Sequence, residues 1–490
     1  MAFINEYFLV LLAWGLVPSL AVNVLVLLAD DGGFELGTYL NKIVNTPNID
    51  NLARNSLIFN NAHTSVSSCS PSRASLLTGV PCHQNGMYGL HHSVHHFNSL
   101  DSVVSLPTLL AQNGIFTGII GKKHVGPELV FPFDFAHTEE TASILQVGRN
   151  VTKIKLLVQE FLQAAQSKPF FLYVAFHDPH RCGHSNPEYG AFCEKFGNGE
   201  PGYGTIPDWT PIIYRPEDVV VPFFVQDTPA AREDIAAQYT TISRLDTGVG
   251  LVLEQLNSRG LLKDTLVIYT SDNGIPFAAG RTNLYDPGTA VPLLISSPYK
   301  NARRNEVTYH MTNLLDIAPT VLDWFQLLNS TSPTFGSGKS LMPLLKKEIP
   351  ETDSKIFYSH NLHEITMYYP MRAIRTRRYK LIHNLFSNSP FPIDQDLYMS
   401  RAFQDLLNRT KESQPTNWYR SLKHYFHRPE WELYDLKHDP TEVANLAYDH
   451  KYEKTLAGLQ AAMLQWQMNT TDPWMCSPYG VLEHGFCMSL

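Results

Sequence analysis

Four short apolar runs, at residues 22–28, 116–120, 170–176 and 266–269, each stop at a cluster of polar residues. Runs of this length, rich in Val, Ile, Leu and Phe, read as strands buried on both faces, as in a parallel sheet. Segments with helical spacing of apolar residues lie between them, at 47–55, 72–77, 154–166 and 230–257. Parallel strands need a crossover between them, so this alternation predicts an α/β domain whose large sheet is sandwiched by helices. Beyond about residue 370 the texture changes to short alternating stretches, such as 371–374 and 379–384, and then a helical pattern over 452–467. A chain of 490 residues exceeds what one core organises, so two units are expected: a catalytic-sized domain at 22–370 and a smaller antiparallel α+β domain at 371–490.

The N-terminus reads as a signal peptide over residues 1–21, with an apolar run at 8–16 too short to span a bilayer and a small-x-small site at Ser19 and Ala21. No later segment has the length of a transmembrane helix, so no membrane span is expected. Sequons at Asn150, Asn329, Asn408 and Asn469 fit export and are candidate glycosylation sites. Cys182 and Cys193 are separated by ten residues, as are Cys476 and Cys487, and both pairs read as local disulfides of an oxidising compartment. Cys69 and Cys82 remain, either as a third disulfide or as thiols. The net charge of −8 excludes a broad nucleic-acid-binding face.

Ligands of open α/β sheets bind beyond the carboxyl ends of the strands. The polar clusters there are Asp30-Asp31, Gly121-Lys122-Lys123-His124, His177-Asp178-Pro179-His180 and Ser271-Asp272-Asn273-Gly274. If the strands are parallel, all four meet on one rim. Asp30, Asp31, Asp272 and Asn273 then offer hard oxygen ligands, suited to Ca²⁺ or Mg²⁺ rather than to a soft metal. Each acidic pair alone would be an ordinary turn. Lys122, His124, His180 and Arg281 would add positive charge and proton donors around an anion. The histidine-rich run at 90–97 reads as a polar loop. Cys69 is expected just before a Pro-initiated helix, where unpaired N–H groups favour negative charge.

The run from Cys69 through Pro71, Ser72 and Arg73 to Thr78 and Gly79 resembles the sulfatase signature, in which the Cys is oxidised to Cα-formylglycine. The Asp-Asp, Gly-Lys-x-His, His-Asp-Pro-His and Asp-Asn-Gly clusters resemble that family's other motifs, in the same order. Stretches 121–128, 177–184, 192–199, 272–276 and 391–396 resemble the branch that hydrolyses sulfamates. The resemblance implies an alkaline-phosphatase-like fold and a lysosomal hydrolase releasing sulfate from N-sulfo-D-glucosamine at the non-reducing end of heparan sulfate. It implies one Ca²⁺ held by Asp30, Asp31, Asp272, Asn273 and formylglycine-69, and maturation by the formylglycine-generating enzyme. A homodimer is implied as well.

In that scheme one hydroxyl of the hydrated aldehyde attacks sulfur and the second later expels sulfate. Arg73 and Lys122 hold oxygens, His124 acts as base, His180 protonates the leaving nitrogen and Arg281 clamps sulfate. Asp178 and Glu364 are candidate sugar contacts. Cys82 is left as a free, buried thiol. Two alternatives stay open: an O-sulfatase acting on another sulfated glycan, and an inactive secreted sugar-binding protein.

Overall fold

The computed structural model describes residues 22–139, 147–183, 188–328, 337–351 and 354–489. The expected signal peptide and the sequon at Asn329 lie outside the described residues.

The strands of the first unit are β1 (Asn23–Ala29), β2 (Leu57–Phe59), β3 (Ala62–His63), β4 (Phe116–Gly121), β5 (Phe135–Thr138), β6 (Phe170–Ala175), β7 (Thr265–Ser271), β8 (Leu293–Ser296), β9 (Glu306–Thr308) and β10 (Thr312–Asn313). Eight of them form one sheet in the order β5-β4-β6-β1-β7-β8-β2-β9, while β3 pairs with β10. All neighbours are parallel except β8, which runs antiparallel to both β7 and β2. The sheet is therefore mixed. Strands β4, β6, β1 and β7 are adjacent, and their carboxyl ends share one rim.

Alternation along β1 explains why the sheet carries helices on both faces. Leu25 and Leu27 join a core with Phe161, Leu157 and Leu245, from helices Val151–Ala165 and Pro229–Ser258. Val24, Val26 and Leu28 point the other way, into a core with Leu76, Leu77, Leu110 and Val321, from helices Cys69–Thr78, Leu106–Gln112 and Ile317–Trp324. Every residue of β1 is buried, as a continuous apolar run requires. Leu27→Ala is expected to lower unfolding free energy by about 2–5 kcal/mol in a urea titration, because the packed strand cannot collapse into the space left.

The second unit is an antiparallel sheet of β11 (Ile356–His360), β12 (Met371–Arg375), β13 (Tyr379–Asn384) and β14 (Trp431–Asp435), in that order. Its first strand precedes residue 371, so the sheet crosses the boundary expected there. Ile374, Leu381 and Leu433 pack on Leu459 and Met463 of helix Glu453–Asn469. Met371, Ala373, Ile382 and Tyr434 pack on the opposite side with Leu284 and Tyr285, which follow Arg281 in the chain. A hairpin of β15 (Gly480–Glu483) and β16 (Phe486–Ser489) closes the chain. Disulfides join Cys182 to Cys193 and Cys476 to Cys487, as their spacing predicts. Asn408 and Asn469 are exposed, and Asn150 is half-buried as the N-cap of helix Val151–Ala165. Among the described residues, no helix is long and apolar enough to cross a membrane.

Candidate active site

Each predicted polar cluster follows its strand directly, and the four meet because their strands are neighbours. Gly121 ends β4 with a φ of 102°, and a Cβ there would lie 2.0 Å from the Ala175 carbonyl oxygen. Only glycine permits that close turn, which delivers Lys122 to the rim. Asp31 and His124 both take left-handed backbone, with φ of 57° and 55°. Non-glycine residues adopt that region at a cost, and they concentrate at functional sites.

Helix Cys69–Thr78 begins one turn earlier than its apolar pattern suggested. Cys69 is its first residue, Ser68 its N-cap, and Pro71 lies inside the first turn. The first turn has no intrahelical acceptors for its N–H groups, so a proline costs nothing there. All ten residues of this helix are buried. Cys69 is 1% exposed, and its Sγ lies 4.0 Å from Asp31 Oδ1.

Around it stand three carboxylates, Asp30, Asp31 and Asp272, and three cations, Arg73, Lys122 and Arg281, all at most 5% exposed. Lys122 Nζ donates to Asp30 Oδ2 at 2.5 Å. Arg73 contacts Asp272 Oδ2 at 2.8 Å and Asp30 Oδ1 at 3.2 Å, and donates to the Lys122 carbonyl at 2.7 Å. Arg281 Nη1 reaches Asp31 Oδ2 at 2.5 Å and His180 Nε2 at 3.0 Å. Its other nitrogens are held by Asp394 at 2.8 Å and by Asp396. Arg73 and Arg281 thus brace the acidic groups from behind, while Lys122 also lines the open cleft.

Burial sets the protonation of these groups first, and neighbouring charge second. Burial raises Asp31 to about 8 although Arg281 opposes it, and raises Asp272 to about 6 against Arg73. Asp30 ends well below the carboxylate range, because Lys122, His180 and Arg73 together outweigh its burial. Burial, with help from the carboxylates, pushes the Cys69 thiol up. As an unmodified thiol it is a poor nucleophile.

A divalent cation suits this set. Asp30, Asp31, Cys69 and His180 each offer an atom within 4.8 Å of the others. Asp272 stands beside them, its Oδ1 accepting the Asp31 N–H at 3.0 Å. Asn273 donates to Asp31 Oδ1 at 2.7 Å, yet its own Oδ1 is buried without a hydrogen-bond partner. A buried carbonyl oxygen without a donor is costly unless a cation takes it.

The cleft above the rim holds about 870 Å³, within the range of small-ligand sites, and is lined by Cys69, Lys122, His124, His180 and Glu364 among others. It also gathers residues the sequence reading did not assign. His92, from the run read as a polar loop, hydrogen-bonds His124, and their rings lie 4.3 Å apart. His177 bridges towards Glu139 Oε1 at 2.9 Å and Asp30 Oδ2 at 3.6 Å. His363 accepts or donates to Ser68 at 2.8 Å, and Asp396 faces His180 at 3.9 Å. The density of histidine at 90–97 was the one available signal for His92; nothing local marks His363 or Glu139.

Asp178 is placed differently from a sugar contact. It is 1% exposed, and both its oxygens are taken, by Arg149 at 2.5 Å and by Arg244 at 2.7 and 2.9 Å. Its backbone carbonyl accepts from Asp30 N at 3.1 Å, so it ties the β6 loop to the β1 loop beneath the cleft. Asp178→Asn leaves two buried guanidinium groups short of charge, and a loss of about 3–5 kcal/mol in unfolding free energy is expected by urea denaturation. Cys82 is a free thiol, buried, with Sγ 3.0 Å from Ser359 Oγ.

A mixed sheet thus gathers a cysteine, hard oxygen ligands and buried cations on its carboxyl rim, a setting for metal-assisted chemistry on an anionic group. The sulfatase family model matches residues 22–327, and the model of the N-sulphoglucosamine sulphohydrolase C-terminal region matches 280–397. Human N-sulphoglucosamine sulphohydrolase is 61% identical over 96% of this chain and 95% of its own. An ulvan-active sulfatase of Formosa agariphila is 27% identical over 92% of this chain and 80% of its own. A structure solved with its substrate D-glucosamine-2-N,6-O-disulfate superposes with a TM-score of 0.64 at 20% identity, covering 92% of this chain and 98% of that one. The chain belongs to the sulfatase family, and it is a sulfohydrolase.

Proposed function

We propose that this enzyme releases sulfate from N-sulfo-D-glucosamine at the non-reducing end of heparan sulfate, in the lysosome, with Cys69 matured to formylglycine beside one Ca²⁺. The observation that carries the chemistry is Cys69 Sγ at 4.0 Å from Asp31 Oδ1, among buried oxygen ligands on the strand rim. The choice of a sulfamate is supported by the 61% identity to the human enzyme along nearly the full length of both chains.

Asp30, Asp31, Asp272 and Asn273 would hold the cation. Bound there, it supplies Lewis acidity and lowers the pKa of the attacking hydroxyl. With Asp394 and Asp396 counted, the buried carboxylates outnumber Arg73, Lys122 and Arg281, so a divalent ion offsets the negative charge that would repel a sulfo group. Lys122, which lines the cleft, would hold a sulfo oxygen. Arg73 and Arg281 keep the carboxylates oriented rather than facing the cleft.

Hydrolysis converts R–NH–SO₃⁻ and water into R–NH₃⁺ and sulfate, so the nitrogen must gain protons as the S–N bond breaks. His180 is the proton donor in this reading: its Nδ1 is fixed on the Arg181 carbonyl at 2.6 Å, and its Nε2, which accepts from Arg281 Nη1 at 3.0 Å, takes up a proton when the substrate parts that contact. His124, fixed by His92, takes the proton that frees sulfate. Burial holds both imidazoles well below their ordinary pKa, which suits His124 as a base, while the sulfo anion bound beside His180 favours its protonated form. Glu364 is the remaining sugar contact on the cleft wall. The homodimer and maturation by the formylglycine-generating enzyme go with this reading.

Sulfate release from N-sulfoglucosamine is expected to exceed release from glucosamine 6-O-sulfate by at least about 10³-fold in kcat/KM, since a sugar bound with its 2-amino position over residue 69 holds a 6-O-sulfo group several bonds away from the nucleophile. Comparable rates, or turnover of the O-sulfate alone, would replace the sulfamate reading with the O-sulfatase one.

A further inference from the structure

A second cleft, of about 380 Å³, lies in the smaller unit behind β14 and is lined by Tyr419, Arg420, Ser421, His424, His427 and Tyr434 among others. We propose that it is an accessory site for an oxyanion-bearing sugar, such as a sulfated or uronic unit of a glycan. Arg420 carries the case. Its guanidinium is stacked 4.0 Å from the Tyr285 ring and 5.2 Å from the Tyr419 ring, which fixes its plane. One amino group donates to the Glu442 carbonyl, Nε is buried, and a side-chain hydrogen bond ties the guanidinium to the Tyr419 hydroxyl, so the group is held in place on the cleft wall. A guanidinium fixed by aromatic rings on a cleft wall is preorganised for a planar or tetrahedral oxyanion.

The acid in the wall does not satisfy it. Glu432 accepts from Tyr285 Oη at 2.8 Å and Asn384 Nδ2 at 2.7 Å, and from Tyr434 Oη, so both its oxygens are engaged by other groups. His424 and His427 are exposed at the rim and add polar donors for an incoming anion. The Tyr419 ring offers the apolar face on which a pyranose packs. Cation, histidine donors and aromatic wall together match a charged sugar better than a bare ion or an apolar ligand. The cleft takes about one sugar unit by size.

The proposal depends on the sulfated-glycan reading of the active site only for its choice of probe. A heparin-derived disaccharide is titrated calorimetrically into the intact enzyme, at low ionic strength, with inorganic sulfate as a separate arm. Two binding events per chain are expected. The second should weaken about tenfold in Arg420→Gln and in the double variant His424→Ala/His427→Ala, the loss of one charge-assisted contact. The rim variant tests the site even if Arg420→Gln fails to fold. Turnover of monosaccharide N-sulfoglucosamine should be unchanged in the rim variant, so failure here and failure of the catalytic reading are separable. A single event per chain, a second event indifferent to the rim variant, or sulfate binding there as tightly as the disaccharide would overturn the proposal.

Discussion

Cys69→Ala is expected to remove sulfate release by on the order of 10⁴–10⁶-fold, the scale seen when a nucleophile is deleted from a site that otherwise stays assembled. The fold should survive. Cys69 packs at the first turn of a helix whose remaining residues are buried by their own contacts, and the side chain lost is small. Cys69→Ser is the more informative variant. A hydroxyl at this position could attack sulfur, but it has no second hydroxyl with which to expel sulfate, so a single turnover and a stable ester are expected. Mass spectrometry of the peptide carrying residue 69 checks both. The active wild type should show the aldehyde mass and the serine variant a sulfate adduct after substrate. Active enzyme carrying only unmodified cysteine would sink the mechanism.

Asp31→Asn should cost activity by about 10³-fold or more and should also abolish metal retention. Asp31 touches more of the site than any other carboxylate: the Arg281 guanidinium, the Asn273 amide, His180 Nε2 at 3.6 Å and Cys69. Burial has raised its pKa to about 8, so without a cation this carboxylate is poorly suited to its surroundings. Elemental analysis should find one calcium per wild-type chain and less than about a tenth of that in the variant. Removing the metal from wild type with a chelator should lower its thermal midpoint, because ions that bind only the folded state stabilise it. A variant that keeps full metal occupancy would show that the ligand set is drawn wrongly, whatever its activity.

The main strands were legible because burial on both faces leaves a continuous apolar run, which β1, β4, β6 and β7 match to within a residue or two. The antiparallel β8 was not. Four residues long, it carries no alternation that separates it from a loop. The helix carrying Cys69 was placed too late because Ser68, Cys69 and Ser70 have no apolar periodicity. Their burial comes from the rim that packs over them. Asp178 misled for a related reason. Its place between two histidines marks a site, but only Arg149 and Arg244, remote in the chain, decide that its carboxylate faces inward.

Sequence alone determined the four central strands and the main helices between them, which residues have the chemistry of ligand, nucleophile and acid, and that these follow strand ends. Those are local properties, written in side-chain type and period. Tertiary structure alone decided that β4, β6, β1 and β7 stand side by side, which gathers residues 30, 122, 177 and 272 onto one rim. It also decided that Arg73 and Arg281 lie behind the ligands, that His92 meets His124, and that Arg420 lines a second cleft. Strand order and side-chain neighbours arise from packing between segments distant in the chain, and no local pattern encodes which partner will fill the space beside a buried charge.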